Sequence, residues 1–247
     1  MAATTPLVRL ERVRKEFGAV VALEDVALDV NPGEIVALVG DNGAGKSTVV
    51  KCIAGVYPPT SGRILLEGQP VRFSNPLDAR SQGIEAVFQD LALANAQPVY
   101  MNMFLGRERV TGPLRRLDRE AMTAETQTLL DELDVRIDSP RQAIRELSGG
   151  QRQGVAIARA VHWAQRLVLM DEPTAALGVA ETQRVEELIR RMCDRGRAIL
   201  IVSHSLDQVF RLADRICVLR RGKQVGIRRT SETSGDEVVA MITGLRA

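Results

Sequence analysis

The segment from Gly40 to Ser47 combines residue types that bind a phosphate chain. It reads Gly40-Asp41-Asn42-Gly43-Ala44-Gly45-Lys46-Ser47 and fits the pattern GxxxxGK[ST] without a mismatch. Glycines let the backbone curl so that its N–H groups point at phosphate oxygens, and the helix that follows turns its positive end toward the same anion. Lys46 can reach the outer phosphates, and the Ser47 hydroxyl can ligate Mg²⁺. Together with Thr48, this segment predicts a nucleotide-binding site.

Two acids follow an apolar run later in the chain. Residues 167–170 are Leu-Val-Leu-Met, and Asp171 and Glu172 come directly after them. Charged groups at the end of a buried strand are costly unless they have partners or a chemical role. Asp171 suits a Mg²⁺ ligand beside the phosphate loop. Glu172 should point elsewhere, because successive strand residues alternate, and it is the candidate general base for a water in line with the γ-phosphate. A solvated loop acid is the alternative interpretation.

Hydrophobic patterning indicates an α/β core with an interruption. Strand patterns occupy much of 6–40 and recur at 64–66, 71–73 and 85–89, with a helix at 46–56. Helical patterns alone are predicted between 90 and 164, at 99–107, 119–133 and 150–163. Apolar runs then resume at 167–170, 198–202, 215–219 and 224–228, with a helix at 181–195 and a final helix opened by a Ser234–Glu237 capping box. We therefore predict one domain, 1–247. Its P-loop core (1–89 and 165–247) has a mainly parallel sheet and an N-terminal antiparallel β region, and 90–164 is an all-helical insertion.

Composition excludes several classes of protein. Apolar residues make up 45% and charged residues 26% of the chain, as in globular proteins. A formal charge of +2 is too small to predict nucleic acid as a partner. We find no apolar run long enough to span a bilayer and no signal-peptide pattern at the N-terminus. Cys52, Cys193 and Cys217 lie within apolar patterns and are predicted to be buried thiols in a reducing compartment.

Residues 147–151 carry a family resemblance. They read Leu147-Ser148-Gly149-Gly150-Gln151 and are similar, position for position, to the LSGGQ signature of ATP-binding cassette (ABC) proteins. A serine and two glycines would expose N–H groups at the start of the helix, which makes a second phosphate-binding end. A simple capping box from Ser148 to Gln151 is the structural alternative. The resemblance runs from Phe17 to the C-terminal helix and implies an ABC ATPase that takes ATP and Mg²⁺.

Three further positions match this family. Gln89 lies where the family has a glutamine that contacts Mg²⁺ and water and senses the membrane partner, and we place it at the end of the strand 85–89. His204 matches the switch histidine that contacts the γ-phosphate. Phe17 falls where an aromatic ring, usually tyrosine, stacks on adenine, although a core phenylalanine is an open alternative. His162 is interpreted as structural.

One segment departs from the family pattern. After Asp171-Glu172-Pro173-Thr174 the family usually continues Ser-Ala-Leu-Asp, whereas this chain has Ala175-Ala176-Leu177-Gly178. The missing carboxylate belongs to a loop that normally touches the second subunit, so communication between two ATP sites is in question. The resemblance implies that two copies close head to tail around two ATP molecules, each site joining the phosphate loop of one copy to the signature of the other. A homodimer, or pairing with a second cassette, is expected.

Residues 88–108 and 173–178 resemble one branch of the family, the importers of ribose, xylose, fructose and related monosaccharides. This branch implies an ATPase at the cytoplasmic face of the bacterial inner membrane that drives sugar uptake through an integral membrane permease, with a solute-binding protein involved indirectly. Purine nucleosides and autoinducer-like sugars remain possible substrates. About a hundred residues separate Lys46 from Ser148, which leaves no room for the long coiled coil of a chromosomal or DNA-repair ATPase. A translation factor would need tandem cassettes and basic arms, and neither is found in this sequence. A regulator that does not turn over is a third alternative, which Glu172 argues against.

The run from Tyr100 to Leu105 is unusually apolar and follows closely after Gln89. It contains Tyr100, Met101, Met103, Phe104 and Leu105. Flexible methionines suit a groove that adapts to a partner, so one hypothesis is that part of this run receives a short helix of the permease. Ordinary packing inside the insertion is the alternative.

Overall fold

The computed structural model describes residues 5–175 and 177–245. Within this part, ten strands form one sheet and two form a hairpin. In chain order the strands are β1 (Val8–Phe17), β2 (Val20–Val30), β3 (Ile35–Val39), β4 (Ser61–Leu66), β5 (Gln69–Val71), β6 (Ile84–Val87), β7 (Val110–Thr111), β8 (Arg116–Leu117), β9 (Leu167–Asp171), β10 (Ala198–Val202), β11 (Arg215–Arg220) and β12 (Lys223–Arg229). The large sheet has the order β5-β4-β1-β2-β12-β11-β3-β10-β9-β6.

The sheet has an antiparallel and a parallel part, as predicted. β5, β4, β1 and β2 pair antiparallel, and β11, β3, β10, β9 and β6 pair parallel. β3, β9 and β10 are buried along their whole length, which is why they read as continuous apolar runs. The carboxyl ends of these parallel strands lie at one edge of the sheet, and the candidate functional residues follow them in sequence.

Eight α-helices surround the sheet within the described part of the chain. They are α1 (Lys46–Ile53), α2 (Pro76–Ser81), α3 (Val99–Met103), α4 (Arg119–Glu132), α5 (Gly149–Trp163), α6 (Val179–Asp194), α7 (Leu206–Leu212) and α8 (Gly235–Thr243). Two apolar cores form, one on each face of the sheet. Ile35, Ala37 and Val39 of β3 belong to one core, and Val36 and Leu38 to the other. β3, which leads into the phosphate loop, is therefore held from both sides.

Several predicted boundaries are wrong. The insertion is not all-helical, because β7 and β8 form an antiparallel hairpin inside it. The helix predicted at 99–107 ends at Met103, and the strand predicted at 71–73 is β5, which ends at Val71. β6 ends at Val87, so Gln89 lies in the loop beyond the strand. At α8, Ser234 accepts a hydrogen bond from the Glu237 N–H, but the Glu237 carboxylate binds Arg228 and Thr233, so only half of the predicted capping box forms.

The apolar run of the insertion packs inward. Met103 and Phe104 are each 1% exposed and Tyr100 is 7% exposed, all three within the core that also holds α5. The groove hypothesis is therefore wrong for these side chains, and the packing alternative describes them. Leu105, at 49% exposure, is the large apolar side chain of this run that faces solvent.

No helix within residues 5–175 and 177–245 has both the length and the apolar character needed to cross a membrane.

Candidate active site

The phosphate loop is wrapped around the Lys46 ammonium group. α1 begins at Lys46, whose side chain is 7% exposed. Its Nζ donates hydrogen bonds to the carbonyl oxygens of Gly40 (2.7 Å) and Asp41 (2.9 Å). An ammonium group has three N–H donors, so one remains for a phosphate oxygen. The loop thus holds its cation in place without using all of its hydrogen-bonding capacity.

Two glycines of this loop are required by space as well as by conformation. Gly40 has φ +148 and Gly45 has φ +103, both in the range that side chains rarely adopt. A Cβ atom at Gly45 would lie 2.7 Å from Leu23 Cδ2 and 2.8 Å from the Ala22 carbonyl oxygen. At Gly40 it would overlap the Leu219 carbonyl oxygen. The loop therefore keeps its curl only with glycine at both positions.

Asp171 and Ser47 provide the oxygen atoms that are candidate ligands for Mg²⁺. Asp171 ends β9, is 6% exposed, and lies beside Ser47 at the start of α1. Burial raises the pKa of the Asp171 carboxyl, and the nearby Ser47 hydroxyl opposes that shift. A buried carboxylate beside a hydroxyl matches the oxygen donors that Mg²⁺ prefers, and a divalent cation would offset the cost of burying the charge. The residues present fit this ion.

Gln89 lies at the same edge of the sheet. β6 pairs parallel with β9, with Val87 opposite Met170. Gln89 is two residues past Val87 and Glu172 is two residues past Met170, so the two positions are level in the register of the strands. The Gln89 side chain is exposed. This placement suits the predicted contact with Mg²⁺ and water, which remains a prediction.

Glu172 and His204 face each other across the ends of β9 and β10. Oε1 of Glu172 lies 3.7 Å from Nδ1 of His204. The Glu172 side chain is 21% exposed and that of His204 is 66% exposed. Glu172 has φ +52, an uncommon conformation for a non-glycine residue, and its N–H donates to the Val202 carbonyl (3.0 Å). Such local strain is often found at functional sites. A general base with a polar partner open to solvent is what water activation requires.

Phe17 lies at the end of β1 and is 42% exposed, so the alternative of a core phenylalanine is wrong. Its ring packs edge-on against Tyr57, with centroids 5.0 Å apart, and Lys15 Nζ lies 5.0 Å from the Phe17 centroid. Tyr57 was not among the residues predicted from the sequence, although it follows α1 closely. Because the ring is exposed, it is accessible to adenine, and stacking on adenine stays a prediction.

The signature segment opens α5 as a complete capping box. Ser148 Oγ accepts from the Gln151 N–H (3.2 Å), and Gln151 Oε1 accepts from the Ser148 N–H (2.9 Å). Ser148 and Gly149 are exposed, and Gly150 is half-buried. The structural alternative for Ser148 and Gln151 is therefore realised, and it is compatible with an exposed helix end that binds phosphate.

Arg159 connects α5 to the loop that carries Gln89, a contact that sequence reasoning missed. Its guanidinium donates to the carbonyl oxygens of Leu91 (2.9 Å) and Ala92 (3.1 Å). Burial lowers the pKa of Arg159, and the positive charge of Arg80 acts in the same direction. No pattern in the sequence pairs α5 with this loop, because the contact depends on tertiary packing. His162, near the end of α5, lies 3.2 Å from Glu125 and packs on Phe104 and Trp163, as expected for a structural histidine.

Comparison with known families decides what this arrangement is. Residues 23–175 match the family described as ABC transporter. The chain belongs to the ABC transporter family. It is therefore an ATP-binding protein and an ATPase of that family, and the phosphate loop and the acids after β9 lie within the matched range.

Other ABC proteins resemble the chain over most of its length. The xylose/arabinose import ATP-binding protein XylG of Sulfolobus acidocaldarius is 47% identical, with 96% of this chain and 94% of XylG covered. The fructose import ATP-binding protein FrcA of Rhizobium meliloti is 45% identical, with 99% and 96% covered. The ribose import ATP-binding protein RbsA 2 of Escherichia coli is 42% identical over 98% of this chain, which spans 47% of that protein.

Solved ABC cassettes share the fold. The ADP conformation of MJ1267, an ATP-binding cassette of an ABC transporter, superposes with a TM-score of 0.82 at 25% identity and covers 98% of this chain and 96% of that one. The dimeric structure of MJ0796, a bacterial ABC transporter cassette, gives a TM-score of 0.79 at 24% identity over 90% and 98% of the two chains. The predicted P-loop fold of an ABC ATPase is confirmed.

Proposed function

We propose that this chain is the ATP-hydrolysing subunit of an importer for a small sugar. The observation that carries the ATPase part is the meeting, at one sheet edge, of the phosphate loop, the Ser47–Asp171 pair and the Glu172–His204 pair. The assignment to sugar import is supported by relatives named as import proteins for xylose, arabinose, fructose and ribose. Two of these relatives are more than 40% identical to this chain and match it over nearly its whole length.

Each residue has a distinct role in hydrolysis. Backbone N–H groups of residues 40–48 and the Lys46 ammonium bind the phosphates and neutralise charge that builds up on the outer ones. Ser47, Asp171 and Gln89 would hold Mg²⁺, which supplies further neutralisation of phosphate charge when bound. Glu172 accepts the proton of the attacking water, and His204 holds the γ-phosphate side of the site. Phe17 stacks on adenine.

A second cassette completes the site. Ser148, Gly149, Gly150 and Gln151 open α5 on the insertion, whereas residues 40–48 open α1 on the core. In a head-to-tail dimer, the exposed N–H groups of one copy's signature would close over the ATP bound to the other copy's phosphate loop. The dimer is a homodimer or a pair with a second cassette. The solved dimeric cassette of the same fold supports this arrangement.

Transport requires membrane partners. The chain works peripherally at the cytoplasmic face of the bacterial inner membrane, bound to an integral membrane permease, while a solute-binding protein delivers sugar to that permease. Nucleic acid has no part in this function. The link from Gln89 through Leu91 and Ala92 to Arg159 gives a contact path along which a bound phosphate could move the insertion.

Two variants test the hydrolytic site. Lys46→Ala should abolish tight ATP binding, measured by titration calorimetry, because it removes the cation from the phosphate loop. Glu172→Gln should bind ATP with near-normal affinity, release phosphate at least a hundredfold more slowly, and accumulate as a dimer in size-exclusion chromatography. Unchanged affinity in the first variant, or near-normal turnover in the second, would refute the assigned role.

Sugar import is tested separately in proteoliposomes. These contain this chain together with the permease and the solute-binding protein that are encoded by neighbouring genes. Uptake of labelled xylose, ribose or fructose that depends on ATP and is lost with Glu172→Gln supports the proposal. ATP hydrolysis that is never stimulated by any of these sugars in the assembled complex would point instead to a different substrate or to a regulator.

A further inference from the structure

A network of hydrogen-bonded polar side chains lies beside Glu172 and His204. Its centre is Gln208 on α7, which is 2% exposed. The side chain of Gln208 contacts Ser203, Thr174 and Glu186, which belong to three separate segments of the core. Buried polar groups of this kind are costly unless every one of them is paired, so the network specifies one arrangement of the segments it joins.

Charge fixes the orientation of the Gln208 amide. The Glu186 carboxylate on α6 accepts two hydrogen bonds from Arg211 and can only accept, so Nε2 of Gln208 must face it, at 3.4 Å from Oε1. The same Nε2 donates to Thr174 Oγ1 (2.9 Å). Oε1 of Gln208 is then left to accept from Ser203 Oγ (2.9 Å). Both amide N–H groups and the carbonyl oxygen are satisfied in this arrangement.

The two hydroxyls that Gln208 joins belong to the two catalytic segments. Thr174 lies two positions after Glu172, and Ser203 directly precedes His204. The backbone of Gln208 is also tied to this region, because its N–H donates to Ser205 Oγ (3.4 Å). The direct bond between Glu172 N–H and the Val202 carbonyl fixes the start of each segment, and the Gln208 amide fixes the positions that follow.

We infer that Gln208 is a positioning residue for hydrolysis, which sets the placement of Glu172 relative to His204 by clamping Thr174 to Ser203. The inference rests on the proposed roles of Glu172 and His204. Gln208 is buried, and it acts through the two hydroxyls that it binds. Loss of the amide releases the loop after β9, where Glu172 already holds an unfavourable φ of +52.

The test is a double-mutant cycle on turnover. Gln208→Leu has nearly the volume of the native side chain and removes all three hydrogen bonds. A shift of about 1 Å in a reacting group can lower a rate by on the order of a hundredfold. We expect kcat for ATP hydrolysis to fall at least about tenfold, with KM for ATP changed by less than about threefold. In the Glu172→Gln background the same substitution should lower the residual rate by less than about twofold, because the base is already gone.

A matched control separates positioning from stability. Glu34, just before β3, accepts hydrogen bonds from Asn31 and Arg215 at the opposite end of the parallel strands. Glu34→Gln should lower the unfolding temperature and leave kcat unchanged. If Gln208→Leu behaves like Glu34→Gln, or if its loss of kcat is fully additive with that of Glu172→Gln, the inference is wrong. Near-normal turnover in Glu172→Gln alone would instead refute the base role itself.

A second pair of variants covers the case in which Gln208→Leu does not fold. Thr174→Val keeps the shape of the side chain and loses the hydroxyl that Gln208 binds, whereas Thr174→Ser keeps the hydroxyl. We expect kcat to fall about tenfold in Thr174→Val and to recover to within about threefold of the native value in Thr174→Ser. Equal kcat in the two variants would overturn the inference.

Discussion

Alanine at Gly40 and alanine at Gly43 form a matched pair within the phosphate loop. Both glycines have positive φ, +148 at Gly40 and +78 at Gly43. They differ in the space available to a side chain. A Cβ at Gly40 would overlap the Leu219 carbonyl oxygen and lie 3.1 Å from Ala44 Cβ, whereas nothing lies within 4 Å of a Cβ at Gly43.

The expected cost follows from these two terms. A non-glycine residue at positive φ costs roughly 1–2 kcal/mol. Overpacking that forces backbone to move adds roughly 1–3 kcal/mol. Gly43→Ala has the first term only and should lower the free energy of unfolding by about 1 kcal/mol. Gly40→Ala has both and should lower it by about 3 kcal/mol. For a chain of this size, 1 kcal/mol corresponds to about 2–4 °C in Tm, so the losses should be roughly 3 °C and 9 °C.

The assay is thermal unfolding of both nucleotide-free variants beside the native protein. Leu219 belongs to β11, which pairs with β3, so the damage from Gly40→Ala should spread into the parallel part of the sheet. Absence of nucleotide matters, because bound ATP would add a contribution that depends on affinity. Equal losses of Tm in the two variants would show that conformation alone, and not the contact with Leu219, makes glycine necessary at position 40.

Three further predictions address other parts of the chain. Asp171→Asn should abolish hydrolysis. It should nevertheless raise the Tm of the nucleotide- and metal-free protein at pH 8, because burial raises the pKa of the Asp171 carboxyl and so makes its ionised form unfavourable in the folded state. That gain in Tm should vanish below about pH 4, where the native carboxyl is protonated in both the folded and the unfolded states. A thiol reagent at pH 8 should modify Cys52 and Cys217 only after unfolding, because burial raises the pKa of Cys52 to about 11 and that of Cys217 to about 12. Labelling of either cysteine in the folded protein would contradict this prediction. Met103→Ser should cost at least about 2 kcal/mol in unfolding free energy, while Leu105→Ser should change neither Tm nor basal hydrolysis.

Features fixed by local chemistry were predictable from sequence. The phosphate loop and the buried strands β3, β9 and β10 were identified because each is a short, continuous pattern with one physical cause. The capping box at Ser148 was identified for the same reason. By contrast, β7 and β8 have two residues each, too few to show an alternating pattern.

Features fixed by tertiary contacts were not predictable. Arg159 and Gln208 are ordinary helix residues until the fold places Leu91 beside one and Ser203 beside the other. Met103 illustrates the same limit, because an apolar run looks alike whether its neighbours belong to the same chain or to a partner. Whether such a run packs within its own chain depends on the burial of its side chains in the folded protein. That burial cannot be deduced from the sequence of one helix.

Gly178 stands where the family usually has an aspartate, and the neighbouring carboxylate of Glu181 accounts for this difference. Gly178 caps α6 with φ −71 and ψ 169, an extended conformation that any residue adopts, so backbone freedom does not require glycine there. Glu181, one turn on, accepts the Gly178 N–H (3.1 Å) and places its carboxylate at the positive end of α6. A Cβ at position 178 would lie 3.7 Å from Glu181 Oε2, so an aspartate there would bring two carboxylates together. The other oxygen of Glu181 fills the space beside Gly150 in the signature segment. In this chain Glu181 therefore supplies the carboxylate at the start of α6, and glycine at position 178 keeps a second acid away from it.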